Sequence, residues 1–171
     1  MRKKRLIVAA TIAILCAAAV FYRVWSAPDG STRESREVLL QNVPKGISWH
    51  IVTEQTQGEY LLCGMTGSDG RVGIAVFAPE GEGYRLISRE WRMEPDDIVI
   101  SGYMIEQTWY TIVWFHGAQT EKAELTYQEE NGTKSVFTFE TGNMEIVVSP
   151  APVKNYTLHV AYFDEEGNRY E

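Results

Sequence analysis

Cysteine is nearly missing from this chain: Cys16 and Cys63 are the only two in 171 residues. Cys16 lies inside an apolar run near the N-terminus, so no disulfide can form within the remainder, and stability must come from packing. Histidine is as scarce. His50, His116 and His159 are scattered, and no His-x-Glu or paired-His spacing suggests a metal centre, so neither a metal nor a cofactor is expected. A Gly-x-Ser-x-Gly elbow, a phosphate-cradling glycine loop and a metalloprotease helix are all absent. The sequence therefore nominates no catalytic residue. Basic residues are also few where a nucleic-acid partner would need them. Five of the 16 Lys and Arg lie at or before Arg23, whereas all 23 Asp and Glu come from Asp29 onward, leaving 11 basic against 23 acidic, a net of −12. Such a surface repels nucleic acid and anionic headgroups, and no nucleic-acid partner is expected.

What is present begins with Arg2, Lys3, Lys4 and Arg5, which run into an apolar stretch over residues 6–22 whose only clearly polar member is Thr11. As a helix those residues would span roughly 26 Å, slightly short of a hydrocarbon core about 30 Å thick. Arg5 and Arg23 at the ends, with Tyr22 and Trp25 at interface depth, lengthen the effective span. The basic cluster orients the N-terminus toward the cytoplasm and the rest of the chain outward. Residues 1–25 are thus predicted to be a signal anchor that crosses the cell membrane once, through residues 6–22. The alternative is a cleaved signal peptide with Ala17-Ala18-Ala19 as its small-residue site, giving a secreted protein. Against it, Val20, Phe21 and Tyr22 extend the apolar run past that site. Leu15 ahead of Cys16 speaks against lipid modification.

Residues 26–46 read as a juxtamembrane linker followed by a short helix over residues 32–42. The helix is signalled by the capping-box pattern Ser31-x-x-Glu34 and the apolar Val38, Leu39 and Leu40, and it should be stopped by Val43-Pro44. Three turns are marginal alone, so this helix must dock on an apolar surface.

From Ile47 onward the hydrophobic period is two. Eight clusters of turn residues separate runs rich in β-branched and aromatic side chains, predicting nine or ten strands and a mainly β chain. Asp69-Gly70 and Asn131-Gly132 are the strongest hairpin signals, because tight primed turns need positive φ. Residues 47–94 are predicted to form an antiparallel β-meander. Residues 97–171, beyond Pro95-Asp96-Asp97, suit an immunoglobulin-like β-sandwich. Cys63, in the apolar run Tyr60-Leu-Leu-Cys63-Gly, reads as a small buried hydrophobe rather than a nucleophile.

Residues 109–115 break the alternation. Trp109, Val113 and Phe115 face one way and Tyr110, Ile112 and Trp114 the other, so both faces of one strand are apolar. Either a second layer covers the outer face, or it forms an exposed aromatic platform for a sugar or peptide. On the second reading the binding residues are Trp91, Trp109, Tyr110 and Trp114.

The runs Gly73-Ile-Ala-Val-Phe77, Gly83-Tyr84-Arg-Leu and Ala161-Tyr-Phe-Asp164-Glu-Glu-Gly167-Asn168 resemble small, uncharacterised membrane-anchored or secreted proteins of Gram-positive bacteria. That resemblance implies initial hairpins and then an immunoglobulin-like half ending in an Asp-x-x-Gly-Asn turn, and it carries no site residues. The expectation is a non-catalytic, membrane-anchored extracytoplasmic module for interaction or sensing, with a protein partner at the cell envelope. A solute- or glycan-binding protein that uses its aromatic surface is the alternative, and an envelope hydrolase a more distant one.

Overall fold

The computed structural model describes residues 28–41, 44–93, 98–116, 120–141, 145–152 and 155–170. The expected transmembrane segment lies outside the described residues, as does the Pro95-Asp96-Asp97 boundary; among the described residues no helix is long and apolar enough to cross a membrane. The chain is mainly β. One helix, α1 (Arg33–Leu40), precedes β1 (Trp49–Gln57), β2 (Tyr60–Gly67), β3 (Val72–Glu80) and β4 (Gly83–Arg92), which pair in that order as an antiparallel meander. A central sheet has the order β5-β6-β9, from β5 (Ile98–Ile105), β6 (Thr108–Phe115) and β9 (Ile146–Pro150). An outer sheet has the order β11-β10-β7-β8, from β7 (Lys122–Glu129), β8 (Lys134–Glu140), β10 (Tyr156–Phe163) and β11 (Arg169–Tyr170).

Three apolar cores lie between four layers. Leu40 of α1 packs with Trp49, Ile51, Cys63, Met65 and Phe77 on one face of the meander. The other face, through Leu62, Ile74 and Val76, meets Val99, Ile112 and Trp114 of the central sheet. Val113, Phe115 and Val147 on the far side of that sheet pack against Ala123, Leu125 and Tyr127 of the outer one. The two apolar faces of β6 are thereby explained: Ile112 through Phe115 are all buried, and each face belongs to a different core.

Gly64 is a point of close fit between meander and central sheet. A Cβ built there would lie 2.5 Å from Cε2 of Trp114, so the indole rests directly on the β2 backbone. The Trp114 N–H is buried without a hydrogen-bond partner among the described residues, a cost of about 1–3 kcal/mol that the packing outweighs.

The helix starts one residue later than its sequence pattern suggests. Thr32 is the N-cap, its side chain accepting from the Ser35 N–H at 3.1 Å. Ser31 is unavailable because Asp29 Oδ1 accepts both its N–H, at 2.9 Å, and its hydroxyl, at 2.7 Å. The helix ends at Leu40 with Gln41 as its C-cap, before the expected end at Asn42; Asn42 and Val43, the first residue of the predicted stop, lie outside the described residues.

Side chains one turn apart, on α1 and on its C-cap residue Gln41, close the free edge of β1. Glu37 accepts the Ile51 N–H at 2.8 Å, while Gln41 donates to the Trp49 carbonyl at 3.1 Å and accepts the Trp49 N–H at 3.3 Å. A β-bulge between Ile51 and Thr53 then shifts the alternation by one residue. Glu54, which would otherwise face away from the helix, is paired with Cys63 on the helix side. There its Oε1 accepts from Nε and Nη2 of Arg36, at 3.1 and 2.8 Å. Arg36 is 7% exposed and also donates to the Gly30 carbonyl at 2.7 Å.

There are eleven strands among the described residues, against nine or ten predicted. The two strongest turn signals, with the last hairpin, share a three-residue geometry instead of the tight primed turn. At each, the first N–H bonds to the carbonyl four residues on, and Gly70, Gly132 or Gly167 takes the left-handed position. Tight two-residue turns occur at Gly58-Glu59 and Gly81-Glu82, whose glycines have positive φ, and at Glu106-Gln107, between β5 and β6, where both residues do, 47° and 70°. Neither is a turn-forming residue type, which is why β5 left no mark in the sequence pattern.

Two outcomes test these contacts. Trp114→Ala should destabilise the protein by about 3–5 kcal/mol in urea denaturation, as expected for a large buried aromatic that joins two layers. Arg36→Ala and Glu54→Ala should each cost about 2–3 kcal/mol, and the double variant little more than either alone; additive losses would show that the pair is not a unit.

Candidate functional site

The four aromatic residues expected to form one surface occupy three different places. Trp91 is half-buried in the first core, its ring centroid 6.0 Å from that of Trp49 and the Arg89 guanidinium 5.9 Å from its own. Tyr110 is half-buried in the second core. Trp114 is 0% exposed and offers no surface to a ligand. As a platform the four are therefore corrected: the second layer that covers β6 takes two of them inward. Trp109 alone projects as expected, at 44% exposure.

Its position follows from the register of β6. Phe115, Val113 and Thr111 descend along the face that packs on the outer sheet, opposite Ile98, Ile100 and Gly102 of β5. The dry part of that core ends where the Thr111 and Tyr156 hydroxyls meet at 3.1 Å. Trp109 is the next residue on the same face, directly opposite Met104, which is 56% exposed. Gly102 leaves room for the indole: a Cβ there would lie 2.8 Å from Cζ2 of Trp109. Trp109 and Met104 thus form an apolar patch, just before and after the strained Glu106-Gln107 turn. Adjacent left-handed residues other than glycine, each costing on the order of 1 kcal/mol, recur at functional sites.

Beside the indole is an open groove of about 690 Å³, bordered by Gln128, Glu129, Glu130, Asn155 and Tyr156. Two carboxylate and two amide side chains thus border the same groove as the indole, one of them, Glu129, also accepting from the Asn131 side chain at 3.1 Å. Only Trp109 of this set was legible from sequence. The rest come from the end of β7, the first turn residue after it and the start of β10, which only the folded sandwich brings alongside.

Other reactive groups do not join this site. Cys63 is buried, and burial first, then the Glu54 carboxylate, pushes its thiol up to about 12. His50 lies 3.6 Å from Glu37 at the β1 edge, the His116 ring 5.1 Å from Trp114, and His159 is an exposed residue of β10. Among the described residues no cluster of His, Cys, Asp and Glu could hold a metal ion. The Asp164 carboxyl is held below its usual range by hydrogen bonds, chiefly from the Asn168 side chain, and the same loop raises the Tyr170 hydroxyl. Asp164 closes the last hairpin, accepting from Asn168 at 2.9 Å and from Tyr170 at 3.2 Å.

No known protein family matches the chain, and no curated protein or solved structure matches it either.

The Cys63 environment gives a pH dependence. In the unfolded chain the thiol begins to ionise near pH 8.5, whereas the folded protein holds the proton to about 12. Over that window the unfolded state binds fewer protons, so stability falls as pH rises. In a Cys16→Ser background, Cys63 should resist a thiol-specific reagent at pH 7.5 until urea unfolds the chain. The decline of Tm above pH 8.5 should be shallower in Cys63→Ala.

Proposed function

We propose that the chain is a single-pass, membrane-anchored module of the cell envelope, facing outward and without a catalytic role. It engages a protein partner through the patch formed by Met104 and Trp109. The observation that carries this reading is the half-exposed indole beside a methionine, at the rim of a groove edged by Glu129 and Glu130. Trp and Met are enriched where proteins meet, and a desolvated aromatic anchor within a charged rim is the usual form of a binding hot spot. The carboxylates favour a partner with a basic rim and would speed its approach at low salt.

The anchor rests on the basic residues before residues 6–22 and on the acidic remainder. An immunoglobulin-like description of the last seven strands is supported by the β6–β9 pair facing the β7–β10 pair. It differs from the constant-type arrangement in that β8 joins β7 instead of β9. A second reading, solute or glycan binding, is favoured by the same groove, since a sugar ring stacks on an indole while carboxylates and amides accept and donate around it.

Photo-crosslinking of the full chain in its own membrane tests both. Trp109→Ala should cost at least 2 kcal/mol of partner affinity, about thirtyfold, with Tm unchanged because the residue lies outside the core. Partner capture that survives both Trp109→Ala and Met104→Ala sinks the protein reading. Envelope oligosaccharides that alter tryptophan fluorescence in the native chain but not in Trp109→Phe would support the second. Intact-mass measurement shows whether residues 1–25 are retained.

A further inference from the structure

Strand β8 is the free edge of the outer sheet: among the described residues β7 alone pairs with it. Its ladder with β7 runs from Lys134 to Glu140 without a bulge. Between those two charges the sequence is Ser-Val-Phe-Thr-Phe, uncharged and of high β propensity. Proteins usually guard such an edge with a bulge, a proline or an inward-pointing charge, and β8 has none of these. The contrast with β1 is direct, since Glu37 and Gln41 bond its backbone over Trp49 and Ile51.

We propose that β8 pairs with β8 of a second copy of this chain, antiparallel, about a two-fold axis at Phe137. The backbone sets the parity. Glu129 donates to the Thr133 carbonyl, which makes Ser135, Phe137 and Phe139 the residues that bond to β7. Lys134, Val136, Thr138 and Glu140 therefore aim their N–H and C=O groups outward. A two-fold pairing must match outward groups to outward groups, and of the registers that do so, the one centred on Phe137 uses all seven residues. It sets Lys134 of each copy opposite Glu140 of the other, twice over. Val136, which is 58% exposed, falls opposite Thr138 on the solvent face. Phe137 meets its own copy on the core face, where Phe137 and Phe139 are only half-buried at the rim of the third core. Sliding the register by one two-fold step in either direction loses both charge pairs. The product is one continuous eight-stranded sheet in which neither β8 is an edge.

The charges supply the test, because Lys134 and Glu140 are exposed; Glu140 also lies opposite Lys122 within the protomer, so the Tm of each variant is read alongside. The full chain in detergent, followed by sedimentation, should show a monomer–dimer equilibrium. Lys134→Glu alone and Glu140→Lys alone should each weaken the dimer roughly tenfold, since like charges then face each other at both ends of the ladder. Mixing the two variants should restore it as a heterodimer, as should the double reversal within one chain. Val136→Lys should leave a monomer with unchanged Tm. A chain that is monomeric at every concentration overturns the proposal. So does a dimer indifferent to all these changes, which would place the contact elsewhere, for example in residues 6–22.

Discussion

Strand β6 carries large apolar side chains on both faces, and a strand so built is stable only between two other layers. The rest of the described chain is arranged around that demand. The meander covers Tyr110, Ile112 and Trp114, and the outer sheet covers Val113 and Phe115. The first core lies within the helix and meander and the third within the later sheets, so the second core, built from residues of both, is what joins the two halves. Gly64 makes the closer of the two interfaces possible: with any side chain there, the Trp114 indole would have to lift, opening the second core along its length. This shared packing is how the chain holds together with a single cysteine among its described residues.

Among the described residues charge enters the buried interior at one place, and the backbone is shaped to admit it. Arg36 is buried at the edge of the first core, where an unpaired guanidinium would be costly. The bulge in β1 turns Glu54 toward it, and the carbonyls of Gly30 and Ser31 take Nη1. The same eight-residue helix, with its C-cap, satisfies the β1 backbone through Glu37 and Gln41. A helix too short to persist alone is thus fixed by polar contacts as much as by Leu40.

The sequence was most readable where period and packing agreed. Alternation along β2, β3, β7 and β10 identified strands, and the doubled apolar pattern of residues 109–115 called for a covering layer before one was seen. It was least readable where backbone geometry departs from residue preference. Glu106 and Gln107 adopt left-handed conformations more natural to Asn and Gly, so the β5–β6 hairpin gave no signal. The bulge that redirects Glu54 has no signature either, and without it Glu54 would be placed on the wrong face. The groove was legible only through Trp109, because Gln128, Glu129, Glu130 and Asn155 come from segments that meet it only in the folded sandwich.

The contacts that hold the helix also decide how the molecule bears load. The chain enters the described structure at Pro28, and the Asp29 carbonyl at once accepts the Tyr84 N–H of β4, at 2.9 Å. Four residues after Ser31, Ser35 donates its hydroxyl to Asp29, and Arg36 grips Gly30, Ser31 and Glu54 together. Tension arriving from the N-terminal side is therefore divided between β4 and β1, on opposite edges of the meander, before it reaches any interior strand. These ties hold the start of the described chain to both edges of the meander, and Trp114 and the cores on either side of β6 take no part in them.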